Sequence, residues 1–352
     1  MVAALVRAGL PWRPPATLTE LLTGRLAPRD GTRELTAGRA LVATLLTAAV
    51  NAGVVIRTGA RATGFLGTGV EVGGEQRTGR VVLATGGFER DETLVRRYLG
   101  EPVPGPAGAP GARGDGLRMA IAAGAALHGT AQAWWCPAIR VPGDEVDGEP
   151  VHRVLLAERA RPGAVLVDRH GHRFTNEAQS YHEVGRSLRG TGPAWLVVDA
   201  AYRRRHPLGP VRPGDPGPDW LRRGNSLTEL AGSIDVPADV LTKTVDRFNG
   251  GPDRDFHRGE SPYDRAMGEL GPLREPPFYA VPVHLGVGGT SGGPRTDGDG
   301  RVLRADGTAV PGLYAAGNAA AGPLGSAYPG TGATLGAALV TGARAGRAAA
   351  ED

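Results

Sequence analysis

The sequence predicts an α/β fold in which a Rossmann-like domain is split by an inserted domain of mixed α/β structure. Two features predict the Rossmann-like part: apolar stretches that read as strands end at glycines, and helical patterns rich in small residues follow. A third feature predicts the insertion, because the middle of the chain carries more charged and aromatic residues. We therefore divide the 352 residues into the first domain part at 1–127, the insertion at 128–273 and the second domain part at 274–352.

The first domain part begins with a predicted helix and strand. Gly38–Val50 has apolar residues at helical spacing, and Asn51-Ala52-Gly53 ends the pattern. Val54–Thr58 follows as a short apolar run, which predicts a buried strand. Residues 61–75 alternate enough to predict a hairpin with its turn at Gly73-Gly74. A helix followed by an apolar strand is half of a doubly wound unit.

A second strand and helix complete this first part. Arg80–Phe88 is an apolar stretch that ends in glycines, which predicts another buried strand. The turn Gly114-Asp115-Gly116 opens a helical pattern of small residues that extends to Leu127. Small residues allow close packing, so we expect this helix to lie directly on a sheet.

The insertion carries its own strands and helices. Ala164–Asp168 and Ala194–Asp199 are apolar runs of strand length. Ser226 and Glu229 have the spacing of a capping box, which predicts the start of a helix. Apolar residues at helical spacing over Pro237–Asn249 predict another helix.

The second domain part is organised around residues 312–336. Leu313–Ala316 is a short apolar run that stops at Gly317-Asn318, and a glycine-rich loop containing Tyr328 leads to a small-residue helix that begins at Ala333. Such a strand, loop and helix start expose backbone N–H groups at the carboxyl edge of a sheet. The stretch therefore predicts a binding site for an anionic or strongly hydrogen-bond-accepting ligand.

Composition excludes several classes of protein. Apolar residues make up 41% and charged residues 22% of the chain, and no stretch is long and apolar enough to span a membrane. Cys136 is the single cysteine, so disulfides cannot stabilise the fold, and we expect a cytoplasmic protein. The net charge of +4 is small and the arginines are scattered, which argues against a nucleic-acid partner. His170 and His172 have no third ligand nearby in sequence, so no metal site is predicted.

Three motifs together resemble one protein family. Residues 312–318 read GLYAAGN, residues 328–334 read YPGTGAT, and residues 173–177 read RFTNE. They resemble the fumarate reductase/succinate dehydrogenase flavoprotein superfamily, and more narrowly its 3-oxosteroid 1-dehydrogenase (3-ketosteroid dehydrogenase) branch. The resemblance implies that the split Rossmann-like domain binds FAD, that the insertion caps the substrate, and that the reaction desaturates a bond next to a ring ketone.

The resemblance also implies which residues hold the cofactor. In flavoproteins of this type an apolar strand ending in Ala-Thr-Gly returns the chain to the flavin sheet, and the GLYAAGN segment and the following helix complete the site. The residues expected to bind FAD are Ala84, Thr85, Gly86, Gly87, Asp115, Gly317, Asn318, Ala333, Thr334 and Leu335.

The substrate site follows from the same resemblance. Tyr328 and Gly332 match positions at which a hydroxyl and a backbone N–H bind the substrate ketone, where such donors stabilise enolate charge. Tyr181 matches the base that removes the α proton. Because an unperturbed tyrosine has a pKa of about 10, this base needs a nearby cation or hydrogen bonds, and Arg186 is the nearest candidate in sequence. Trp135 is expected to contact the substrate.

The expected partners are a small hydrophobic, steroid-like ketone and an electron acceptor that the sequence does not identify. Two alternatives stay open. One is a fumarate reductase-like enzyme acting on enoates or dicarboxylates, since His284 lies near the corresponding position, although its Gly-Val-Gly-Gly context departs from that pattern. The other is a non-catalytic remnant, because the chain lacks the GxGxxG turn that normally holds the pyrophosphate. We accordingly expect an N-terminally truncated homologue.

Overall fold

The computed structural model describes residues 37–67, 69–267 and 270–352 and contains two compact units, Met1–Arg61 and Ala62–Asp352. In the first unit, helix α1 (Ala37–Asn51) confirms the predicted helix. The strand predicted at Val54–Thr58 is wrong, because this segment is exposed and has no strand geometry. Val55 is 75% exposed. An apolar run becomes a strand only when a neighbour pairs with its backbone, and no described strand of this unit does so.

The second unit contains the remaining described elements. Its helices are α2 (Glu92–Leu99), α3 (Asp115–Ala122), α4 (Tyr181–Ser187), α5 (Ala200–Arg205), α6 (Leu227–Ser233), α7 (Ala238–Asn249), α8 (Pro262–Met267) and α9 (Ala333–Glu351). Short 3-10 helices cover Glu158–Ala160 and Gly317–Ala319. Its strands are β1 (Ala62–Phe65), β2 (Gly69–Val72), β3 (Glu75–Thr78), β4 (Val81–Leu83), β5 (Gly105–Pro106), β6 (Leu127–His128), β7 (Ala133–Val146), β8 (Glu149–Val154), β9 (Ala164–Asp168), β10 (Ala194–Val198), β11 (Arg222–Gly224), β12 (Phe278–Thr290), β13 (Gly293–Pro294), β14 (Arg301–Leu303) and β15 (Ala309–Ala315). None of the described helices has the length and hydropathy of a membrane span.

Local sequence explains where several of these helices begin and end. Asp91 caps α2, because its carboxylate accepts a hydrogen bond from the Leu94 N–H at 2.8 Å, and Gly100 ends the helix with φ +82°. The hydroxyl of Ser226 accepts a hydrogen bond from the Glu229 N–H at 3.1 Å and so caps α6, as the capping-box spacing predicts. The buried apolar residues of α7 pack in one hydrophobic cluster with residues of β9, β10 and β12.

A seven-stranded sheet forms the centre of the second unit. Its order is β8-β7-β12-β10-β9, and β11 and β5 also pair with β12. The first half of β12 pairs antiparallel with β10 and β11, whereas the second half pairs with β7 and, in parallel, with β5. β12 starts at Phe278, beyond the predicted boundary at 273, yet it pairs with strands of the insertion. The domain boundaries at 127 and 273 stay a prediction.

A smaller sheet carries the Rossmann-like features. β4 and β15 run parallel, with Ala315 opposite Leu83, and β14 pairs antiparallel with the other side of β15. In the same unit β1, β2 and β3 form a three-stranded antiparallel sheet. The predicted turn at Gly73-Gly74 joins β2 to β3, with φ angles of +60° and +83° that suit glycine.

A buried network of ion pairs fixes the segment that precedes α4. Glu177 has no exposed surface, and its carboxylate lies 2.8 Å from Arg173 and 3.2 Å from Arg258. Asp253 pairs with the other side of the Arg173 guanidinium at 2.9 Å. Glu177 also accepts a hydrogen bond from the Leu166 N–H of β9. Because each of these buried charges has a partner, the RFTNE segment is held rigidly against the sheet.

We expect Glu177→Ala to lower the free energy of unfolding by about 3–5 kcal/mol, because it leaves the buried Arg258 guanidinium without its carboxylate partner. Urea denaturation followed by circular dichroism measures this change. The control is Asp239→Ala, which breaks the exposed Asp239–Lys243 pair and should leave the midpoint unchanged. Equal midpoints for both variants would show that the network does not stabilise the fold.

Candidate functional site

The residues predicted to hold the cofactor lie around the carboxyl ends of β4 and β15. Residues 84–87 follow β4, and Gly317 and Asn318 follow β15 in a short 3-10 helix. The Ala316 N–H donates to the Leu83 carbonyl oxygen at 3.0 Å, so the two strand ends lie side by side. The structure therefore brings together segments that are more than 200 residues apart in sequence, because parallel strands end at the same edge of a sheet.

Two helices border this edge. α3 approaches residues 84–87 closely, because a Cβ at Gly116 would collide with the hydroxyl oxygen of Thr85. This close approach requires glycine and places Asp115, at the start of α3, beside the same segment. α9 packs on the other side, where the Thr341 hydroxyl accepts a hydrogen bond from the Gly317 N–H at 3.0 Å. The first turn of α9 supplies the other predicted cofactor residues, Ala333, Thr334 and Leu335.

The exposed surface at this edge fits the flavin part of FAD. Ala84 and Thr85 are exposed, and Gly317 and Asn318 are half-buried. Leu335, in the first turn of α9, also remains accessible and is 44% exposed. A flat ring system with polar edges requires this combination of apolar surface and backbone N–H groups. A methyl group added at Gly330 or Gly332 would meet no described atom within 4 Å, so the loop leaves open space there.

Tyr181 and Tyr328 lie against each other although they are distant in sequence. Tyr181 is the first residue of α4, where the Ser180 hydroxyl caps the helix. Tyr328 lies in the glycine-rich loop before α9. The Tyr181 hydroxyl donates to the Tyr328 hydroxyl at an O–O distance of 2.5 Å, and the ring centroids are 5.2 Å apart. Gly332 ends the same loop in a left-handed conformation, with φ +94°, that favours glycine.

The surroundings keep the Tyr181 hydroxyl protonated. Burial raises its pKa well above the ordinary value, and the hydrogen bond and charge of Tyr328 raise it further, while a hydrogen bond with the Thr331 side chain acts in the opposite direction. Arg186, predicted from sequence to support this tyrosine, instead lies 3.6 Å from Glu183, with 55% of its side chain exposed. The prediction from sequence spacing is wrong because Arg186 is five positions after Tyr181 in the same helix, and two residues at that spacing face different sides of it.

Two residues that the sequence analysis did not assign to the site contact Tyr328. Trp134 packs its ring 5.2 Å from that of Tyr328, and its indole N–H donates to the Asn318 side-chain oxygen at 3.3 Å. His182, the second residue of α4, has its ring 5.7 Å from that of Tyr328 at an interplanar angle of 30°. The adjacent tryptophans Trp134 and Trp135 could have indicated from the sequence that an aromatic side chain lines the site. No sequence pattern indicated a role for His182.

Trp135 lies in the core and not beside Tyr328. It is 1% exposed, packs in the main hydrophobic cluster, and has the Arg189 guanidinium 4.5 Å from its ring centroid. Successive residues of a strand point to opposite faces of the sheet, so only one of the two tryptophans can face the tyrosines. Cys136 is also buried, and burial raises the pKa of its thiol to about 12, so the thiol is unreactive.

A buried carboxyl group lies in the segment that follows β4, two residues after the predicted cofactor residues 84–87. Glu89 is 4% exposed, and its carboxylate accepts a hydrogen bond from the Thr290 N–H at 3.3 Å. The Thr290 hydroxyl in turn accepts from the Phe88 N–H at 3.1 Å, which joins the end of β12 to the segment after β4. Burial raises the pKa of Glu89 to about 7, and the hydrogen bonds and Arg90 only partly offset this.

Comparisons with known proteins show the family to which this chain belongs. The family model described as FAD binding domain matches residues 2–335. The chain is 42% identical over 346 residues to 4-oxocyclohexanecarboxylate 2-dehydrogenase of Sinomonas cyclohexanicum, covering 88% of this chain and 60% of that protein. It is 41% identical over 293 residues to a 3-oxosteroid 1-dehydrogenase of Mycobacterium tuberculosis, covering 74% of this chain and 51% of that protein.

A solved structure supports the same family assignment. The crystal structure of 3-ketosteroid Δ1-dehydrogenase from Sterolibacterium denitrificans, in complex with 1,4-androstadiene-3,17-dione, matches with a TM-score of 0.83 and 34% sequence identity. The match covers 90% of this chain and 64% of that chain. The present sequence thus spans about half to two thirds of the length of these relatives.

We expect the stability of the chain to fall as pH rises from about 4.5 to 7, because folded Glu89 holds its proton more tightly than unfolded Glu89 does. A pKa raised from 4.5 to about 7 corresponds to on the order of 3 kcal/mol over this window. Urea unfolding at both ends of the window should show this loss in the wild type relative to Glu89→Gln. The control Glu92→Gln changes an exposed carboxylate of α2 and should retain the wild-type loss. An identical pH dependence in wild type and Glu89→Gln would contradict the assignment.

Proposed function

Because this chain belongs to the FAD-binding domain family, in the branch that contains the 3-ketosteroid dehydrogenases and their relatives, we propose that it takes part in desaturating the carbon–carbon bond next to a ring ketone. FAD is the cofactor of this family. The chain covers only part of its relatives, so the activity is proposed for the protein that contains this sequence.

The observation that carries the proposal is the pair of tyrosine hydroxyls at 2.5 Å. In a ketone the carbonyl oxygen and the α carbon are about 2.4 Å apart, as ordinary C=O and C–C bond lengths require. Two neighbouring hydroxyls can therefore address these two atoms of one substrate. Both hydroxyls are uncharged groups. They suit an uncharged ketone as the group that they bind better than they suit a carboxylate.

The proposed roles divide between the loop and the helix. Tyr328 donates a hydrogen bond to the ketone oxygen, and the Gly332 N–H is the second donor on the same loop. Together they stabilise the enolate charge that develops when the α proton leaves. Tyr181, at the start of α4, is the base that accepts this proton.

The pKa of Tyr181 then determines how the reaction depends on pH. A base must be deprotonated to act, and the surroundings hold the pKa of Tyr181 above its ordinary value. The active form therefore increases as pH rises through the neutral and alkaline range.

The cofactor site is proposed to use the segments at the sheet edge. Residues 84–87 and Gly317-Asn318 would lie along the flavin, with α3 and the first turn of α9 beside it. When bound, FAD supplies the acceptor for the hydride that leaves the carbon next to the deprotonated one. The protein contributes placement and hydrogen bonds.

The substrate is proposed to be a cyclic ketone. Relatives named for a 3-oxosteroid and for 4-oxocyclohexanecarboxylate share a ketone on a six-membered ring. His284 does not favour the dicarboxylate alternative, because its ring packs 6.2 Å from that of His152 and its pKa is lowered by burial and by Arg140. An imidazole kept neutral in this way is a weak ligand for a second carboxylate.

The first test is the flavin content of the purified 352-residue chain, followed by turnover of 4-oxocyclohexanecarboxylate and of a 3-oxosteroid with an artificial electron acceptor. Near-stoichiometric FAD and desaturated product would support the proposal. Bound FAD without turnover of either ketone would argue against it. If the chain holds no FAD, the same assays on a chain extended to the length of its relatives decide the question.

We expect Tyr181→Phe to lower kcat/KM by a factor of roughly 10²–10⁴ and to abolish its rise with pH, since the base is removed. Tyr328→Phe should lower it by roughly 10²–10³ through loss of one donor to the enolate oxygen. Both variants should retain the wild-type amount of FAD, because neither tyrosine belongs to the sheet-edge segments. Tyr263→Phe, which changes a half-exposed tyrosine of α8, is the matched control. Wild-type turnover by Tyr181→Phe would refute the assignment of the base.

A further inference from the structure

We propose that His182 is a positioning residue, which holds the ring of Tyr328 against Tyr181 by stacking on it as a neutral imidazole. This inference rests on the proposed function for its catalytic meaning. The contact itself is a property of the chain and can be tested without turnover.

Tyr328 needs support from outside its own loop. The loop between the 3-10 helix and α9 contains glycines with positive φ at Gly325, Gly330 and Gly332. Hydrogen bonds to Pro294 and Ser291 hold its start, whereas the backbone hydrogen bonds on either side of Tyr328 join residues only three positions apart. Such a segment has many accessible backbone conformations, so it does not fix a side chain by itself. Its tyrosine is instead surrounded by rings from elsewhere in the fold.

His182 is the ring that lies most nearly parallel to Tyr328. Its interplanar angle is 30°, whereas Trp134 and Tyr181 meet the tyrosine at 48° and 62°. His182 and Tyr181 are consecutive in α4, so they project about 100° apart around the helix. One helical turn therefore supplies the hydroxyl that meets the Tyr328 hydroxyl and a ring whose centroid lies 5.7 Å from that of Tyr328. Any shift of α4 moves both contacts together.

The imidazole is buried without a side-chain hydrogen bond. His182 is 3% exposed, and its ring nitrogens make no well-formed hydrogen bond among the described residues, although the Ser326 backbone lies near enough to favour the protonated ring. Burial lowers its pKa, and so does Arg186, while Glu183 and the nearby Ser326 backbone act in the opposite direction. Those two charged residues belong to its own helix and pair with each other at 3.6 Å. On the facing loop the groups beside it are Tyr328 and the Ser326 backbone, and strand β7, on which α4 packs, carries the buried thiol of Cys136. Among the described residues an added proton would therefore have no anion beside it apart from Glu183, which pairs with Arg186.

A neutral ring is therefore required for the stack. Protonating His182 would bury a positive charge, which favours a conformation in which the imidazole reaches water and leaves Tyr328. A phenylalanine at this position can stack but cannot be protonated. A leucine has a similar volume but no ring. The phenylalanine variant therefore tests the effect of protonation, and the leucine variant tests the effect of losing the ring contact.

The test places 3-fluorotyrosine at position 328 of the 352-residue chain and follows its fluorine resonance by NMR between about pH 5 and 7.5. In the wild type we expect the resonance to shift with an inflection below the ordinary histidine pKa of about 6.5. His182→Phe should keep the high-pH resonance at every pH, and His182→Leu should give a shifted or broadened resonance throughout. The control His172→Phe changes an exposed histidine and should behave as the wild type.

Turnover provides a second measurement. His182→Phe should keep kcat/KM within about twofold at pH 8 and lose the acid limb that His182 causes, whereas His182→Leu should lower it roughly 3- to 10-fold at all pH values. An inflection that persists in His182→Phe, or an unchanged resonance in His182→Leu, would overturn the proposal. The expected resonances in a chain without turnover would support the stack and contradict the proposed function instead.

Discussion

Strand β12 is the constraint on which the rest of the second unit depends. Its first half pairs with β10 and β11 and its second half with β7 and β5, so one continuous backbone joins both halves of the large sheet. At its end, Thr290 bonds to the Phe88 N–H and to Glu89, next to the segment after β4. The carboxyl ends of β4 and β15, where FAD is proposed to bind, are thereby held to the large sheet by hydrogen bonds that involve the main chain, which tolerate little displacement.

This framework explains how a flexible loop can take part in an accurately built site. α4 is anchored at its start by the RFTNE segment, whose Glu177 is held between two arginines. The loop with Tyr328 is tied at its start by hydrogen bonds to Pro294 and Ser291, and around Tyr328 itself it meets the rings that α4 and β7 present to it. Rigid elements therefore carry the support, and the loop carries Tyr328, the proposed donor to the substrate ketone.

The charges of the molecule are arranged in two different ways. Around Glu177 the charges are buried in ion pairs, which hold the segment before α4 in place. Around the tyrosines and beside the sheet edge burial instead disfavours charge, since it raises the pKa values of Tyr181 and Glu89 and lowers that of His182. A neutral, largely apolar site with a few oriented hydroxyl and N–H groups is suited to a ketone, whose charge develops only during the reaction.

The sequence by itself determined the family, the cofactor and many of the elements, because local patterns and short motifs encode them. The helix at 38–50, the strands at 164–168 and 194–198 and the cap at Ser226 depend on neighbouring residues only. Tertiary structure decided what depends on long-range contacts. Val54–Thr58 has a strand-like pattern but no paired neighbour among the described strands, and Arg186 lies near Tyr181 in sequence but faces away. Which tryptophan meets Tyr328, and that His182 stacks on it, follow only from how α4, β7 and the loop pack together.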